Sequence, residues 1–324
     1  MDYTTLGRTG LRVGVAGLGC GGFSRLGLGT GKSEAEAIGI VRQSIELGVN
    51  LFDTAAAYGT EEVLGKAIKS VPRENVVVCT KAPFRFSRAG ADPAAIVAAL
   101  DDSLRQLDTD YIDLYQLHGV PPAAYEHARD VLAPALLREK EKGKFRFLGM
   151  TETAPHDLQH EMLQRAVPDG LWDTAMVGFS MMHQNARELV FPLTQQHRVG
   201  TLLMFAVRNI LSQPDRLAAT MRELAATGEV PRSLAEEPNP LGFLLHQGGA
   251  SSVVDAAYRF VRHEPGVDVV LFGTGSIEHL RSNIASILKP PLPAADQQKV
   301  CGLFGGLVGV GLDVPSLPRP PRPS

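Results

Sequence analysis

Val49-Asn50-Leu51-Phe52-Asp53-Thr54-Ala55-Ala56-Ala57-Tyr58-Gly59 reads as a short buried strand that ends on a carboxylate, Asp53. A tight loop of small residues then presents a phenol, Tyr58, before Gly59 turns the chain into a helix. A carboxylate at a buried strand end is costly unless it is paired or used. Taken alone, the stretch is equally a strand-end Asp capping a turn and a surface Tyr. The pattern recurs on the next two strands: Val76-Val77-Val78-Cys79-Thr80 runs into Lys81, and Tyr111-Ile112-Asp113-Leu114-Tyr115-Gln116-Leu117 runs into His118.

Outward from this stretch, strand and helix patterns alternate. Upstream, residues 3–14 read as a small hairpin around a Gly-containing turn, and Val15 to Gly19 as the first strand. Gly17-Leu18-Gly19-Cys20-Gly21-Gly22 has the wrong spacing for a dinucleotide fingerprint and opens no helix, so a Rossmann fold is set aside. Ser33 and Glu36 form a capping box for a helix that carries Ile38, Val41 and Ile45 on one face and stops at Gly48. Downstream, helices are expected at 61–69, 93–107 (with Asp92 as N-cap and Pro93 at N1), 125–142, 156–165, 186–197, 214–226, 251–263 and 277–287. Further strands are expected at 145–150, 174–179, 201–205 and 268–272. The strands are short and rich in Val, Ile and Leu, as parallel strands covered by helices on both faces are. Eight such units predict a closed (β/α)8 barrel rather than an open doubly wound sheet. Such a barrel needs roughly 250 residues. The surplus falls in the hairpin, in the less regular stretch 206–250, and in a proline-rich tail, 315–324, beyond a single domain spanning 1–314.

A chain of 324 residues with 44% hydrophobic content buries a large core without staples. A formal net charge of −3 gives no electrostatic case for nucleic acid. Three scattered cysteines, Cys20, Cys79 and Cys301, form neither a disulfide framework nor a zinc cluster, which fits a reducing cytoplasm. No signal-peptide pattern opens the chain, and no apolar run reaches the ~18 residues of a membrane span.

In a closed parallel barrel all strand C-termini meet on one face, where active sites sit. Asp53, Tyr58, Lys81 and His118 occupy that face on three successive strands. A phenol with a pKa near ~10 transfers protons poorly at neutral pH, and a neighbouring ammonium lowers that pKa. Asp53 is placed to hold Lys81, and His118 to orient a substrate oxygen. The constellation reads as a proton-transfer site built on a phenol. Gly273-Thr274-Gly275-Ser276, opening a helix, supplies free backbone N–H groups for phosphate, and is equally a plain strand-to-helix turn.

The chain resembles the aldo-keto reductase superfamily from about Tyr3 to Ile287. The resemblance rests on Tyr3-Thr4-Thr5-Leu6-Gly7-Arg8-Thr9-Gly10-Leu11, on Phe52-Asp53-Thr54-Ala55 with Tyr58-Gly59 and Leu64-Gly65, on Thr80-Lys81, and on Asp102-Ser103-Leu104 leading to Tyr111–His118. It implies a barrel that binds NADP(H) or NAD(H) without a Rossmann fold, with Asp53, Tyr58, Lys81 and His118 as catalytic tetrad and Tyr58 as general acid or base. The substrate would be a small carbonyl compound or the matching alcohol or sugar. Bacterial aldo-keto reductases and sugar dehydrogenases are the nearest branches.

Where the family carries Ser-Asn for the nicotinamide carboxamide, this chain has Thr151-Glu152; where it often carries Gln, this chain has Met176. Phe205 is the nearest candidate for the ring-stacking aromatic, and Val207-Arg208-Asn209 replaces Ser-Pro-Leu. Gly273, Thr274, Gly275 and Ser276 would hold the adenosine phosphates, with Asn283 near the adenine. Gly273 and His279 stand where NADP(H)-preferring members carry Lys or Arg, leaving Arg208 and Arg281 as nearby cations. Phe23 and Phe84, with parts of 206–250, would line the substrate pocket. Two other readings stay open: a nicotinamide-binding redox-sensor subunit, as in the potassium-channel β subunits of the superfamily, and a barrel with slow chemistry. Leu303 to Leu312 either packs across the barrel or marks a subunit contact.

Overall fold

The computed structural model describes residues 1–84 and 92–313. β1 (Tyr3–Thr5) and β2 (Arg12–Gly14) pair antiparallel as the expected hairpin. Eight parallel strands then close into a barrel: β3 (Ala16–Gly19), β4 (Leu51–Asp53), β5 (Val77–Pro83), β6 (Ile112–Val120), β7 (Phe145–Glu152), β8 (Thr174–Gly178), β9 (Gly200–Met204) and β10 (Val269–Phe272). Sequential strands are neighbours throughout, and β10 closes onto β3. This is the (β/α)8 barrel expected from the alternation.

Strand alternation splits the core in two. Leu51, Val77, Cys79, Leu114, Met176, Leu202 and Val269 point inward, where Leu6, Leu11 and Val13 of the hairpin join them. Phe52, Val78, Tyr115, Leu148, Val177 and Leu203 point outward against the helices. Each such side chain contributes about 1.5–3 kcal/mol when fully buried. The hairpin seals one end of the barrel. The Arg8 amide donates to the Arg198 carbonyl at 2.6 Å, just before β9, and the Arg8 side chain donates to the Gly170 and Trp172 carbonyls ahead of β8. These are the N-terminal strand ends, so the opposite end is the open mouth.

Helix starts follow the expected caps. Ser33 and Glu36 make the reciprocal capping box of helix Glu34–Glu46, and Asp92 accepts from Ala94 N–H at the start of helix Pro93–Leu107. One expected helix, 125–142, runs unbroken but with a π-turn inside it, and prolines shorten or split two others. Pro134 has no N–H to give, and the stretch 125–142 contains a π-helical turn at Ala128–Leu132 before helix Ala133–Glu141. Pro192 splits 186–197 at Val190 into Ala186–Leu189 and Phe191–His197. Pro155 lies in a 3-10 turn, and the helix expected from 156 starts at Glu161, where Asp157 accepts from the Glu161 and Met162 amides at 2.8 and 3.0 Å.

A helix at Ala294–Phe304 was not among the sequence expectations. The chain beyond it packs across the mouth. Gly309 N–H donates to His183 Nδ1 at 3.1 Å, Gly311 lies against Ile210, and Asp313 accepts from Asn209 at 2.9 Å. The proline-rich tail expected at 315–324 lies outside the described residues. Among the described residues no helix is long and apolar enough to cross a membrane.

Candidate active site

Strand register brings the expected tetrad together. Asp53 pairs with Cys79, Lys81 with Gln116, and Pro83 with His118, so Asp53, Lys81 and His118 end adjacent strands β4, β5 and β6 at the open mouth. Tyr58 follows in the single turn Ala56–Tyr58. Lys81 is fully buried, and its ammonium donates to both Asp53 oxygens at 2.7 Å and to the Thr54 carbonyl at 2.8 Å. Burial is the largest single influence and opposes the charge on Lys81, but Asp53, Tyr58 and Cys79 together outweigh it, so the lysine pKa stands above its ordinary value. The ammonium lies 5.0 Å from the centre of the Tyr58 ring, and the Tyr58 hydroxyl lies 3.4 Å from His118 Nε2.

Lys81 pulls the phenol pKa down, as the sequence reading holds, but burial is the larger effect and leaves Tyr58 above the ordinary value. The site therefore presents a protonated phenol at neutral pH, an acid backed by a fixed positive charge.

Two backbone features aim these groups. Gly21 lies flat against Tyr58: a Cβ there would fall 2.5–2.7 Å from three ring atoms. The glycine run discounted as a dinucleotide fingerprint thus makes room for the phenol. Gly21→Ala is expected to displace the ring and lower turnover by roughly tenfold to a hundredfold, since ångström-scale misplacement of a reacting group has effects of that size. Steady-state kinetics beside a thermal melt check it; the melt should move little.

The second feature is a β-bulge. Leu117 pairs with Met150 but Val120 with Glu152, so β6 carries one extra residue at His118-Gly119, and Gly119 has φ +69°. The Gly119 N–H released from the ladder donates to Thr151 Oγ1 at 2.7 Å. Thr151 thereby fixes the bulge that aims His118. Thr151→Ala leaves a buried amide unpaired and should cost about 1–3 kcal/mol, with Thr151→Ser restoring most of it in denaturant melts.

Glu152 is committed elsewhere than its sequence assignment to the nicotinamide carboxamide implied. It is buried, and one oxygen accepts from the Gly178 amide at 2.6 Å while the other accepts from His160 Nδ1 at 2.7 Å. Asn185 donates through its Nδ2 to the Leu158 carbonyl, which turns its Oδ1 toward His160 Nε2 at 3.0 Å. Each His160 nitrogen therefore faces an oxygen, an arrangement that favours the protonated ring. Burial opposes that charge, but Glu152 holds the His160 pKa above the ordinary value. His183 stacks on this ring at 5.1 Å; burial, then the His160 charge, bring its pKa down to about 4.

His183 binds a proton more readily unfolded, with a pKa near ~6.5, than folded. Stability should therefore fall as pH drops from about 6.5 to about 4, by up to about 3 kcal/mol. His160 acts oppositely, its stabilisation being full below about 6.5 and fading as pH rises through its raised folded value. His183→Gln should flatten the acid limb relative to wild type in unfolding measured at pH 5 and pH 7.5.

The remaining expected cofactor residues fall into three groups. Met176 packs in the inner barrel core, Asn283 is buried in helix Ile277–Ile287, and His279 is exposed on that helix. Gly273, Thr274, Gly275 and Ser276 form the turn before that helix. Thr274 Oγ1 accepts from the Ser276 amide, Ser276 caps the His279 amide, and Gly275 lies against the Gly27 backbone. Arg281 donates to Gln43 on the surface. At the mouth, the Arg208 guanidinium lies 4.2 Å from the Phe205 ring centre and 5.5 Å from that of Phe23. Phe23 is exposed, whereas Phe84, expected beside it as a pocket wall, is buried in the outer core.

Three residues with a structural part in the site escaped the sequence reading: Gly21, His160 and His183. Only Gly21 had a signal, in a glycine run with no fingerprint spacing.

The aldo/keto reductase family model matches residues 17–302. L-galactose dehydrogenase of Arabidopsis thaliana is 35% identical over 311 residues, covering 92% of this chain and 92% of that protein. Aldo-keto reductase YhdN of Bacillus subtilis is 28% identical over 300 residues, 86% of this chain and 88% of its own. The holo form of aldo-keto reductase AKR11C1 from Bacillus halodurans superposes with a TM-score of 0.70 at 26% identity, over 94% of this chain and 96% of that one. Fold, match and identity agree: the chain belongs to the aldo/keto reductase family.

Proposed function

We propose that the protein is an oxidoreductase that interconverts a carbonyl compound (an aldehyde, ketone or sugar) and its alcohol with NADP(H) or NAD(H). One observation carries this reading: a phenol held protonated over a buried Lys81–Asp53 pair, its hydroxyl 3.4 Å from His118.

The chain's residues fit a dinucleotide. A glycine-rich turn opens an eleven-residue helix at Gly273–Ser276, and Arg208 Nε is buried without a hydrogen-bond partner among the described residues. When bound, the nicotinamide supplies the hydride for reduction and accepts it for oxidation. Tyr58 donates its proton to the carbonyl oxygen in reduction and withdraws it in oxidation. Lys81 stabilises the phenolate that Tyr58 leaves behind, and Asp53 keeps Lys81 charged and in place. His118 orients the substrate oxygen toward the phenol. Thr151 holds His118 through the Gly119 bulge. The L-galactose dehydrogenase relative supports including aldoses among the substrates.

A second reading, a nicotinamide-binding redox sensor with slow or no turnover, draws on Glu152 and Met176, whose side chains are committed to His160 and to the barrel core. Fluorescence titration with NADPH and NADH, followed by cofactor oxidation across a panel of aldehydes and reduction across alcohols and aldoses, separates the two. The enzyme reading requires binding and turnover. Tight binding with no turnover would favour the sensor, and binding of neither dinucleotide would sink both.

A further inference from the structure

Behind the Lys81–Asp53 pair lies a thiol that the mechanism above does not use. Strand alternation turns Asp53 on β4, Cys79 and Lys81 on β5, and Gln116 on β6 into the barrel, in step with Leu51 and Leu114. Register makes Cys79 the direct neighbour of Asp53, and Gln116 the direct neighbour of Lys81. All four side chains are buried.

Gln116 Nε2 donates to Cys79 Sγ at 2.7 Å. Gly149, the register partner of Gln116 on β7, makes room for that reach: a Cβ there would fall 2.9 Å from Gln116 Cγ. With its sulfur already accepting, Cys79 has its own hydrogen left to give. It keeps that hydrogen, because burial, and after it the Asp53 charge, raise the thiol pKa well above its ordinary value. The side chain it hydrogen-bonds is Asp53. An ionised carboxylate offers about four acceptor positions. The Lys81 ammonium occupies one on each Asp53 oxygen, so room remains for the thiol. Cys20, whose amide donates to the Asp53 carbonyl, gives its own thiol to the Leu18 carbonyl at 3.8 Å. A line of donors therefore runs one way, from the Gln116 amide through the Cys79 thiol to Asp53, and meets the Lys81 ammonium there.

The last torsion of an Asp side chain is soft. Lys81 grips both oxygens, but Lys81 is itself the group that Asp53 has to hold. The pair needs a third, fixed group to set its place beside the phenol, and supporting hydrogen bonds of this kind are what lock acid–base groups in position.

We propose that Cys79 is a positioning residue, oriented by Gln116, that fixes the Asp53 carboxylate and through it the Lys81 ammonium beside Tyr58. Cys79 touches no substrate and passes no proton. Its effect on turnover rests on the oxidoreductase reading above; its hydrogen bond to Asp53 does not.

The test compares Cys79→Val, which fills the space without a donor, with Cys79→Ser, which keeps one. Positioning predicts that Cys79→Val lowers kcat roughly tenfold with KM little changed, as slight misplacement of a reacting group does. Cys79→Ser should recover most of that loss. Packing alone predicts the reverse order, because Val suits an apolar neighbourhood better than Ser. Wild-type kcat in Cys79→Val, or an equal loss in Cys79→Ser, overturns the proposal. Infrared spectroscopy tests the hydrogen bond without turnover and without the Val variant. The S–H stretch falls in a window clear of other protein bands, and wild type minus Cys79→Ser isolates it for Cys79. The band should lie below the frequency of a thiol that has no acceptor, and should remain displaced in Gln116→Leu. A band at the free-thiol position in wild type overturns the proposal. Gln116 Oε1, buried and without a partner among the described residues, is the rival acceptor. A displacement that vanishes in Gln116→Leu would assign the bond to that oxygen and overturn the proposal too. If wild type shows no turnover, the oxidoreductase reading falls, and the infrared band alone decides whether Cys79 holds Asp53.

Discussion

Tyr58→Phe is expected to lower kcat by at least a hundredfold, toward the ten-thousandfold that a positioned acid–base group can contribute. The substitution is close to silent structurally. The ring keeps its seat against Gly21 and its place 5.0 Å from the Lys81 ammonium. Only the hydroxyl is lost, and its contact with His118, at 3.4 Å, is a long one. Cofactor affinity by fluorescence and the thermal midpoint should therefore hold while turnover collapses. Full activity in Tyr58→Phe would mean that the proton comes from elsewhere. The wild-type pH profile carries the same signature. With the phenol above its ordinary pKa, reduction, which needs Tyr58 protonated, should persist well into the alkaline range. Oxidation, which needs Tyr58 to accept a proton, should rise with pH over that range.

Asp53→Asn should cost about 3–5 kcal/mol of stability, because it leaves the fully buried Lys81 ammonium without its counter-charge. The pH dependence should change sign with it. In the wild type the raised Lys81 pKa adds stability that is full below the unfolded lysine value near ~10.4 and is lost as pH rises through the higher folded value. In Asp53→Asn burial, the largest influence on Lys81, loses its main opponent, the folded Lys81 pKa drops below the unfolded one, and stability rises with pH until the lysine is neutral in both states. Denaturant unfolding at pH 7 and pH 10 measures the cost and the variant's rise with pH, against a wild type in which Lys81 contributes no such rise over that range. A second variant separates charge from packing: Asp53→Asn with Lys81→Met should recover much of the stability and none of the activity. An Asp53→Asn protein as stable as wild type at pH 7 would show that the pair contributes far less than its burial implies.

The meeting of Asp53, Lys81 and His118 at one mouth was legible because each lies toward the end of a strand whose apolar run is itself readable, and parallel closure then brings those ends, with the turn that carries Tyr58, to one face. Asp53, Lys81 and His118 needed no side-chain detail. The capping residues Ser33 and Asp92 were equally plain, since their partners lie within three residues. What escaped depends on space rather than on sequence spacing. Glu152 and His160 are eight residues apart and meet only because Asp157 delays the helix start to Glu161. Pro192 sits inside a run whose apolar period continues past it, so period alone joined what its missing N–H divides. Helix Ala294–Phe304 opens on Ala-Ala-Asp-Gln-Gln-Lys, with Val300 and Phe304 as its buried apolar side chains, too sparse a stripe to read. The bulge at His118 leaves no mark beyond a glycine, and it alters where the histidine points without altering that it is there.

The sealed end of the barrel has a practical side. The hairpin brings Met1 against Gly14 and Gly48, beneath the strands, while Asp313 leaves the mouth between Asn209 and Arg216. A purification tag or surface linker at the amino end would emerge on the far side of the molecule from Tyr58. Amino-end immobilisation on a chip or resin should thus leave the entrance facing solution.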